Sequence, residues 1–579
     1  MTIRNADIVR VFEQIADLLE LQQANTFRVR AYRNAARTLS AWPQEMADLQ
    51  AQGQHFEDLP AIGKDLAGKI GEILARGSCD QLDRLQASFP RGITDLLHIS
   101  GLGPKRVHTL YHELGIRSPA QLLSAAREGR IRAVPGFGAV SERRIAEAVA
   151  GHLERSRRWP LAQVTAQVDD LLTYLRAAPG ISNAVVAGSY RRRRDTVGDL
   201  DILLVGRSGK ALSRYLGMFD RIEEVLAQGS TRVSVVLRDG LQVDLRVVRA
   251  ASFGAAMVYF TGSRAHNIAL RRIAQARKLK INEYGVYRDG KRIAGDTESS
   301  VYASIGLPYI PPELREDHGE IEAARKQALP HLVERADLRG DLHAHTNASD
   351  GKQNLAEMAQ AARSAGLTYL AITDHSRSLT VAHGLDQRRL EEQIQAIDEL
   401  NEKLDGVVLL KGIEVDILPD GRLDLPDAVL ARLDLVVGAV HSHLDLPRAK
   451  QTARILHAMD RPNFSILAHP NGRLFNTRGP CDLDMERIIR HAGERGCFLE
   501  LNSQPERLDL FDVQCRQARD AGVAVVISSD AHHGNDLRWL TLGVDQARRG
   551  WLEASNVLNT LPLEQLRKRL AATMSSAHH

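Results

Sequence analysis

Cysteines, long apolar runs and net charge are all scarce in this chain, and each scarcity narrows the class of protein it can be. The four cysteines, Cys79, Cys481, Cys497 and Cys515, have no paired spacing, which excludes a disulfide framework and a cysteine-type zinc site and leaves reduced, mostly buried thiols. No segment approaches the ~20 uninterrupted apolar residues of a membrane span. Met1-Thr2-Ile3-Arg4 lacks the apolar stretch of a signal peptide, so a cytoplasmic protein without membrane contact is expected. What is there is globular: 44% of the 579 residues are apolar and 26% charged, enough for three or four domains with their own cores. The formal net charge of +4 is unevenly divided. Residues 1–335 carry 48 Lys and Arg against 38 Asp and Glu, whereas residues 336–579 carry 28 against 34, so a polyanion should bind mainly to the first part. Histidine is skewed the other way, with 13 of 21 after residue 335.

The stretch AGSYRRRRDTVGDLDILLV, residues 187–205, sets a Gly-Ser turn and four arginines ahead of a strand-like run opened by Asp199 and Asp201. Strand alternation puts these two carboxylates on one face, where they can hold hard cations such as Mg²⁺. A second alternating segment, Gln242 to Val248, offers a third carboxylate at Asp244. Two cations about 3.5–4 Å apart can stabilise both oxygens of an in-line phosphoryl displacement, while Gly188 and Ser189 bring backbone N–H groups to the phosphates. An isolated Asp-x-Asp is as readily a solvated pair beside a basic loop; the Gly-Ser turn and Asp244 favour the cation site, and nucleotidyl transfer is its chemistry.

These segments, with Tyr259-Phe260-Thr261-Gly262-Ser263, resemble the palm of family X DNA polymerases. The resemblance implies that Asp199, Asp201 and Asp244 hold Mg²⁺ or Mn²⁺, with Asp244 also taking the proton from the primer 3′-hydroxyl. It implies further that Ser189, Arg192 and Gly198 face the incoming triphosphate, that Tyr259 and Gly262 lie along its sugar, that Asn267 reaches a base edge, and that Arg271 contacts the template strand.

Residues 1 to about 90 read as short helices, starting with an amphipathic stretch from Ile8 to Leu19. Three Gly-punctuated turns then recur, each before a helix-forming segment: Leu59-Pro60-Ala61-Ile62-Gly63-Lys64, Ile99-Ser100-Gly101-Leu102-Gly103-Pro104-Lys105, and Val134-Pro135-Gly136-Phe137-Gly138. Such turns point backbone N–H groups outward and grip phosphate without reading sequence. One alone would be a plain turn; three in a basic region resemble helix-hairpin-helix motifs, which makes Gly63, Gly101, Gly103, Lys105, Gly136 and Gly138 candidate DNA contacts. In the first turn Ala61 stands where the pattern has Gly. Lys69 occupies the position of the lysine that attacks abasic sugars in some family X relatives, but Asp65 stands where those relatives have a second lysine; a phosphate-contacting role for Lys69 is the alternative.

After residue 336, continuous apolar runs alternate with helical segments, the pattern of a parallel α/β barrel whose chemistry sits at the C-terminal strand ends. The ionisable residues fall there: Asp341-Leu342-His343-Ala344-His345, Asp350, Thr373-Asp374-His375, Gly412-Ile413-Glu414, Val440-His441-Ser442-His443, Ala468-His469-Pro470 and Ser529-Asp530-Ala531-His532. A lone strand-end histidine is usually a core or surface residue; seven strand ends bearing His, Asp or Glu read as a metal cluster. Their order resembles the PHP (polymerase and histidinol phosphatase) superfamily. By resemblance one cation takes His343, His345, Glu414 and Asp530, a second shares Glu414 with His441 and His469, and a third takes Asp350, His375 and His532. Mn²⁺ or Zn²⁺, up to three ions, is the implied complement; His383 and His443 lie close by in sequence and are candidates to orient substrate, with a ligand-supporting or solvent-facing place as the alternative for His443. Phosphoester hydrolysis by metal-activated water is the expected chemistry.

The expected architecture is multidomain α/β: a helical DNA-binding region 1–90, a helix-hairpin-helix fingers-like region 91–160, a nucleotidyltransferase palm 161–250, a nucleotide-closing subdomain 251–318, a linker 319–336 and a PHP metallohydrolase domain 337–570. Both modules in this order resemble the bacterial family X polymerases. The resemblance implies gap-filling DNA synthesis in repair, 3′–5′ exonuclease or 3′-end processing, gapped or primer-template DNA and dNTPs as partners, and a monomer. The alternatives are a polymerase fused to a small-molecule phosphatase, and a DNA-end-binding scaffold.

Overall fold

The computed structural model describes residues 5–574 except 23, 43–44, 52, 90–92, 100, 157, 207–214 and 217. Expectations on residues 1–4, Ser100, Arg157 and His578-His579 lie outside the described residues. The chain divides into two compact units, Met1–Arg157 and Arg158–His579.

The first unit is helical. Its opening helix, Asn5–Leu21, buries Ile8, Phe12, Ile15 and Leu19, the i, i+4, i+7 and i+11 stripe that a helix turns to a core. The three punctuated turns share one construction. Ile62, Leu102 and Phe137 each donate a backbone N–H to the carbonyl three residues earlier, at 3.0–3.1 Å, and the residue just before each donor has positive φ. Gly101 and Gly136 take φ of 85° without cost, whereas Ala61 is held at 63°. Helices then begin at once, Lys64–Arg76 and Pro104–Leu114 with Gly63 and Gly103 as N-caps and Ala139–Ser156 after Gly138. No side chain or backbone crowds Gly63, Gly101, Gly103, Gly136 or Gly138, so their backbone faces open space.

The second unit starts with the palm sheet: β1 (Ile181–Val186), β2 (Asp199–Gly206), β3 (Ile222–Gln228), β4 (Arg232–Leu237) and β5 (Gln242–Val248), in spatial order β1-β2-β5-β4-β3. Only β2 and β5 run parallel, and their register sets Asp201 opposite Asp244. Leu200, Ile202 and Leu204 point into the core beneath Val233, Val243 and Leu245, which leaves the aspartates on the other, accessible face. Helices Phe253–Thr261 and Arg264–Ala276 and an antiparallel sheet of β6 (Lys280–Asn282), β7 (Gly285–Arg288) and β8 (Lys291–Ala294) form the closing part.

The barrel is built from parallel strands in two arcs. One has β9 (Gly340–Asp341), β10 (Tyr369–Ile372) and β11 (Val408–Lys411); the other has β12 (Glu414–Asp416), β13 (Val437–Ala439), β14 (Ile466–Leu467), β15 (Phe498–Asn502) and β16 (Val525–Ser528). Single parallel bridges, His375 to Glu414 and Ala344 to Ala531, join the arcs at both ends. Both bridges therefore lie at the rim where the histidines cluster.

Two boundaries differ from the sequence expectation. Trp159 and Pro160 pair with Val197 and Thr196, and Trp159 sits in the palm core, so the palm starts before residue 161. The segment 319–336 is not a free linker: helix Glu320–Arg325 buries Ile321 and Ala324 in the closing-part core, and Val333 enters the barrel core.

Candidate functional sites

The palm site is a cleft of about 520 Å³ between the Gly188–Arg191 helical turn, the start of β2 and the end of the Phe253–Thr261 helix. Gly188 has φ of 61°, and a Cβ there would lie 2.5 Å from Asp201 Oδ2, so only glycine lets this turn pass so close to the carboxylate. Burial, then the neighbouring Asp199 and Asp244, push the Asp201 carboxyl up to about 7, and burial and Asp244 raise Asp199. Negative charge is thus crowded on one face, which a divalent cation relieves. Asp244 Oδ1 accepts from Ser234 Oγ and lies 3.1 Å from Arg232 Nη2, while Oδ2 accepts from Gln242 Nε2 at 3.3 Å.

The other palm candidates surround this cleft. Ser189 and Gly198 line it with Arg192. Arg192 donates Nε to Glu316 at 3.0 Å and Nη1 to the Thr261 carbonyl at 2.7 Å. Asn267 donates Nδ2 to the Tyr259 carbonyl at 2.7 Å and crowds Gly262, and the Arg271 guanidinium stacks over the Tyr259 ring at 5.2 Å. Sequence reasoning missed three charged groups. Arg158, read as boundary, lines the cleft and draws Asp199 toward ionisation; Arg246, two residues beyond Asp244 on β5, does the same for Asp201 and lies over Phe260 at 4.6 Å. Glu316 enters from a segment 117 residues beyond Asp199, with no local signal.

The barrel rim gathers all nine expected ligands around Glu414. Its Oε1 lies 2.9 Å from His469 Nε2 and 3.3 Å from His441 Nε2; its Oε2 lies 2.7 Å from His375 Nδ1, 3.5 Å from His343 Nε2 and 3.7 Å from His345 Nε2. Asp530 Oδ1 is 3.1 Å from His345 Nε2, and Asp350 reaches His375 at 3.5 Å and His532 at 3.3 Å. Three subsets have ligand atoms within 4.8 Å of one another: His343, His345 and Asp530; His375, Glu414 and His441; and His345, Asp350, His375 and His532. The division expected by resemblance is therefore crossed, with His345 and His375 each shared between subsets. The palm triad is not among the groups this close, counting described residues.

The donors fit divalent cations. His343 Nε2, both ring nitrogens of His345, His375 Nδ1 and Glu414 Oε2 are buried without a well-aligned hydrogen bond, although His375 Nδ1 and Glu414 Oε2 lie 2.7 Å apart, and such a set of donors suits a bound cation. Burial opposes charge on Glu414, yet His375, His441 and His343 hold its carboxyl well below the usual range. Glu414 in turn outweighs burial to push His375 up to about 10 and His441 to about 9. Burial and the flanking His375 and His532 bring His345 down to about 4, which leaves the ring neutral with a lone pair on one nitrogen for a cation.

Two orienting carboxylates went unseen in the sequence. Glu500 Oε1 lies 2.6 Å from His343 Nδ1 and Asp416 Oδ1 lies 3.1 Å from His441 Nδ1, which aims the opposite ring nitrogen of each at the cluster. The Glu-x-Asp alternation at Glu414 was a usable signal for Asp416; Glu500, 157 residues from His343, had none. His383 and His443 are exposed, left-handed residues outside the cluster. In the first unit Lys69 is ion-paired to Asp65 at 2.5 Å, so its ammonium already has a partner.

A palm with a Gly-Ser turn and paired aspartates, joined to a histidine-rimmed barrel, defines a nucleotidyltransferase fused to a PHP-type metallohydrolase. Family models match along the chain: helix-hairpin-helix domain at residues 3–79, SAM-like helix-hairpin-helix tandem at 93–150, DNA polymerase beta thumb at 256–316 and PHP domain at 341–504. The chain is 37% identical over 564 residues to the DNA polymerase/3′-5′ exonuclease PolX of Bacillus subtilis (strain 168), covering 97% of this chain and 98% of that one. It is 28% identical over 231 residues to a probable phosphatase of Thermoanaerobacter sp. (strain X514), 38% of this chain and 89% of the phosphatase, and 25% identical over 348 residues to DNA polymerase lambda of Rattus norvegicus, 54% and 56% of the two chains. The chain belongs to the PolX family of DNA polymerases.

Proposed function

We propose that this chain is a DNA-directed DNA polymerase that fills short gaps during repair, and that its barrel removes nucleotides or blocked ends from 3′ termini. The observation that carries the reading is the pairing, in one chain aligned over 97% of its length with a polymerase/exonuclease, of a carboxylate-lined cleft with a rim of eight clustered metal-type ligands and His469 against Glu414. Bound divalent cations, Mg²⁺ or Mn²⁺ in the palm and up to three Mn²⁺ or Zn²⁺ in the barrel, would supply Lewis acidity and an acidified water. Ser189, Arg192, Gly198 and the Gly188 turn then hold the triphosphate, Tyr259 and Gly262 its sugar, Asn267 the base edge and Arg271 the template, while Asp244 takes the 3′-hydroxyl proton. The open backbone at Gly63, Gly101, Gly103, Gly136 and Gly138, with Lys69 and Lys105, grips DNA phosphates. A cytoplasmic location and a monomeric state belong to the same reading; the four cysteines are free thiols, and among the described residues no helix is long and apolar enough to cross a membrane.

The test is one assay of primer extension and primer degradation with Mg²⁺ or Mn²⁺. Asp244→Ala should abolish extension and spare degradation, and His441→Ala should do the reverse. Loss of both activities in either variant would refute two separate sites. The likeness of residues in the barrel half to a probable phosphatase favours a second reading, hydrolysis of a small phosphomonoester. Faster turnover of a sugar phosphate than of single-stranded DNA would select it.

A further inference from the structure

The loop after β15 brings a guanidinium to the mouth of the cation cluster. Arg507 Nε lies 3.8 Å from Asp530 Oδ2, beyond hydrogen-bond reach, and that oxygen already accepts from Asn502 Nδ2 at 3.0 Å. The Arg507 side chain is 21% exposed, and no hydrogen bond to its guanidinium occurs among the described residues. Arg478, from the neighbouring loop, spends only Nε, on the Gly472 carbonyl at 2.9 Å. Partial burial and then the positive charge of Arg507 lower its pKa. The five N–H donors of Arg507, beside a proposed ligand of the cluster, and the four that Arg478 leaves unspent are of the planar, forked kind that phosphate fits.

The position of Arg507 is set from the palm. Arg473, buried between the rings of Phe475 and Phe511 at 4.4 Å each, donates to the carbonyls of Arg507 and Leu508 at 2.5 Å. Its remaining nitrogen, Nη1, reaches Asp195 Oδ2 at 2.9 Å. Asp195 directly follows the four-arginine run of the nucleotide cleft and belongs to the palm. One guanidinium thus clamps the Arg507 loop on one side and the polymerase half on the other.

We infer that Arg507, assisted by Arg478, holds the phosphate of the strand being hydrolysed beside the cation cluster, and that Asp195 acts through Arg473 as its positioning residue. The polymerase palm is then a structural part of the hydrolase's substrate site. The inference rests on the reading of the barrel rim as a phosphodiesterase.

The test uses the full chain with Mn²⁺ and a single-stranded oligonucleotide. Arg507→Ala should lower kcat/KM for degradation roughly 10²-fold, mainly through KM, with Mn²⁺ binding by calorimetry unchanged, and Arg507→Lys should recover part of the loss. Asp195→Asn should raise KM about tenfold with the pH profile and melting curve unaltered, and Asp195→Glu should recover part of it. Loss of Mn²⁺ binding in Arg507→Ala would overturn the phosphate role, because the arginine would then be acting on Asp530. Wild-type kinetics in Arg507→Lys and Arg507→Ala would overturn it outright, and wild-type kinetics in Asp195→Asn would overturn the palm's part. His343→Ala is the control: if degradation survives it, the underlying phosphodiesterase reading fails instead.

Discussion

At the scale of single residues, charge crowding is the clearest determinant of behaviour. The Asp201 carboxyl, pushed up to about 7 by burial and by Asp199 and Asp244, keeps a proton that the unfolded chain, near its ordinary value of 3.8, has already lost. The native state therefore binds more protons between about pH 4 and 7, and stability contributed by protonated Asp201 is lost as pH rises through that window. Metal-free protein should lose roughly 1–3 kcal/mol of stability between pH 5 and 8 from this group, after discounting for solvent screening. Asp201→Asn should flatten the difference, and Mg²⁺ should raise the wild-type melting temperature more at pH 8 than at pH 5. Parallel melting curves for wild type and variant at every pH would show that the carboxylates do not crowd. Residues of this kind were legible in the sequence wherever their signal is local, as in Asp-x-Asp, His-x-His and the Thr-Asp-His strand end. Glu316 and Glu500 were not, because each acts on a partner more than a hundred residues away and carries no spacing of its own.

Among elements, the parallel strands of the barrel were readable because strands buried on both faces are uninterrupted apolar runs. The closure was not: it depends on two isolated bridges, at Ala344 and His375, that no periodicity encodes. The 319–336 segment misled because its polar composition hides Ile321 and Val333, which are fully used in two different cores. The punctuated turns show the opposite case, a local rule that the structure enforces even where the residue objects. Ala61 adopts the left-handed backbone that Gly101 and Gly136 take in the equivalent turns. An L-residue there costs about 1 kcal/mol over glycine, and nothing crowds the neighbouring Gly63 to compensate. Ala61→Gly should therefore stabilise the first unit by about 0.5–1 kcal/mol, reduced from the full strain by glycine's greater freedom in the unfolded chain. Denaturant unfolding of residues 1–157 measures it, and a destabilised variant would mean that the turn is not strained.

For the whole molecule, the decisive fact is where the chain can be cut. Leu508 and Leu542 of the barrel half are buried in the palm core, with Phe475 and Trp539 packed against it, and Trp551 is buried in the core of the closing part. Arg549 adds ion pairs to Glu316 at 3.1 Å and Asp512 at 2.5 Å and donates to the Arg192 carbonyl at 2.8 Å. A cut near residue 318 exposes these groups, and three buried apolar side chains at about 1.5–3 kcal/mol each approach the whole stability of a domain. Among the described residues the first unit closes a core of its own, built from Ile8 through Val149. Residues 158–579 should consequently fold and hydrolyse a small phosphodiester such as bis-p-nitrophenyl phosphate at close to the full-length rate, while residues 319–579 should express poorly or melt at least 10 °C lower. On a single-stranded oligonucleotide the 158–579 protein should lose at least tenfold in kcat/KM, since the three turns proposed to grip DNA phosphates have been removed. Raising the salt should narrow that gap by weakening the full-length protein more than the truncated one. Equal losses on the two substrates would mean that the helix-hairpin-helix unit supports the barrel's chemistry rather than its hold on DNA.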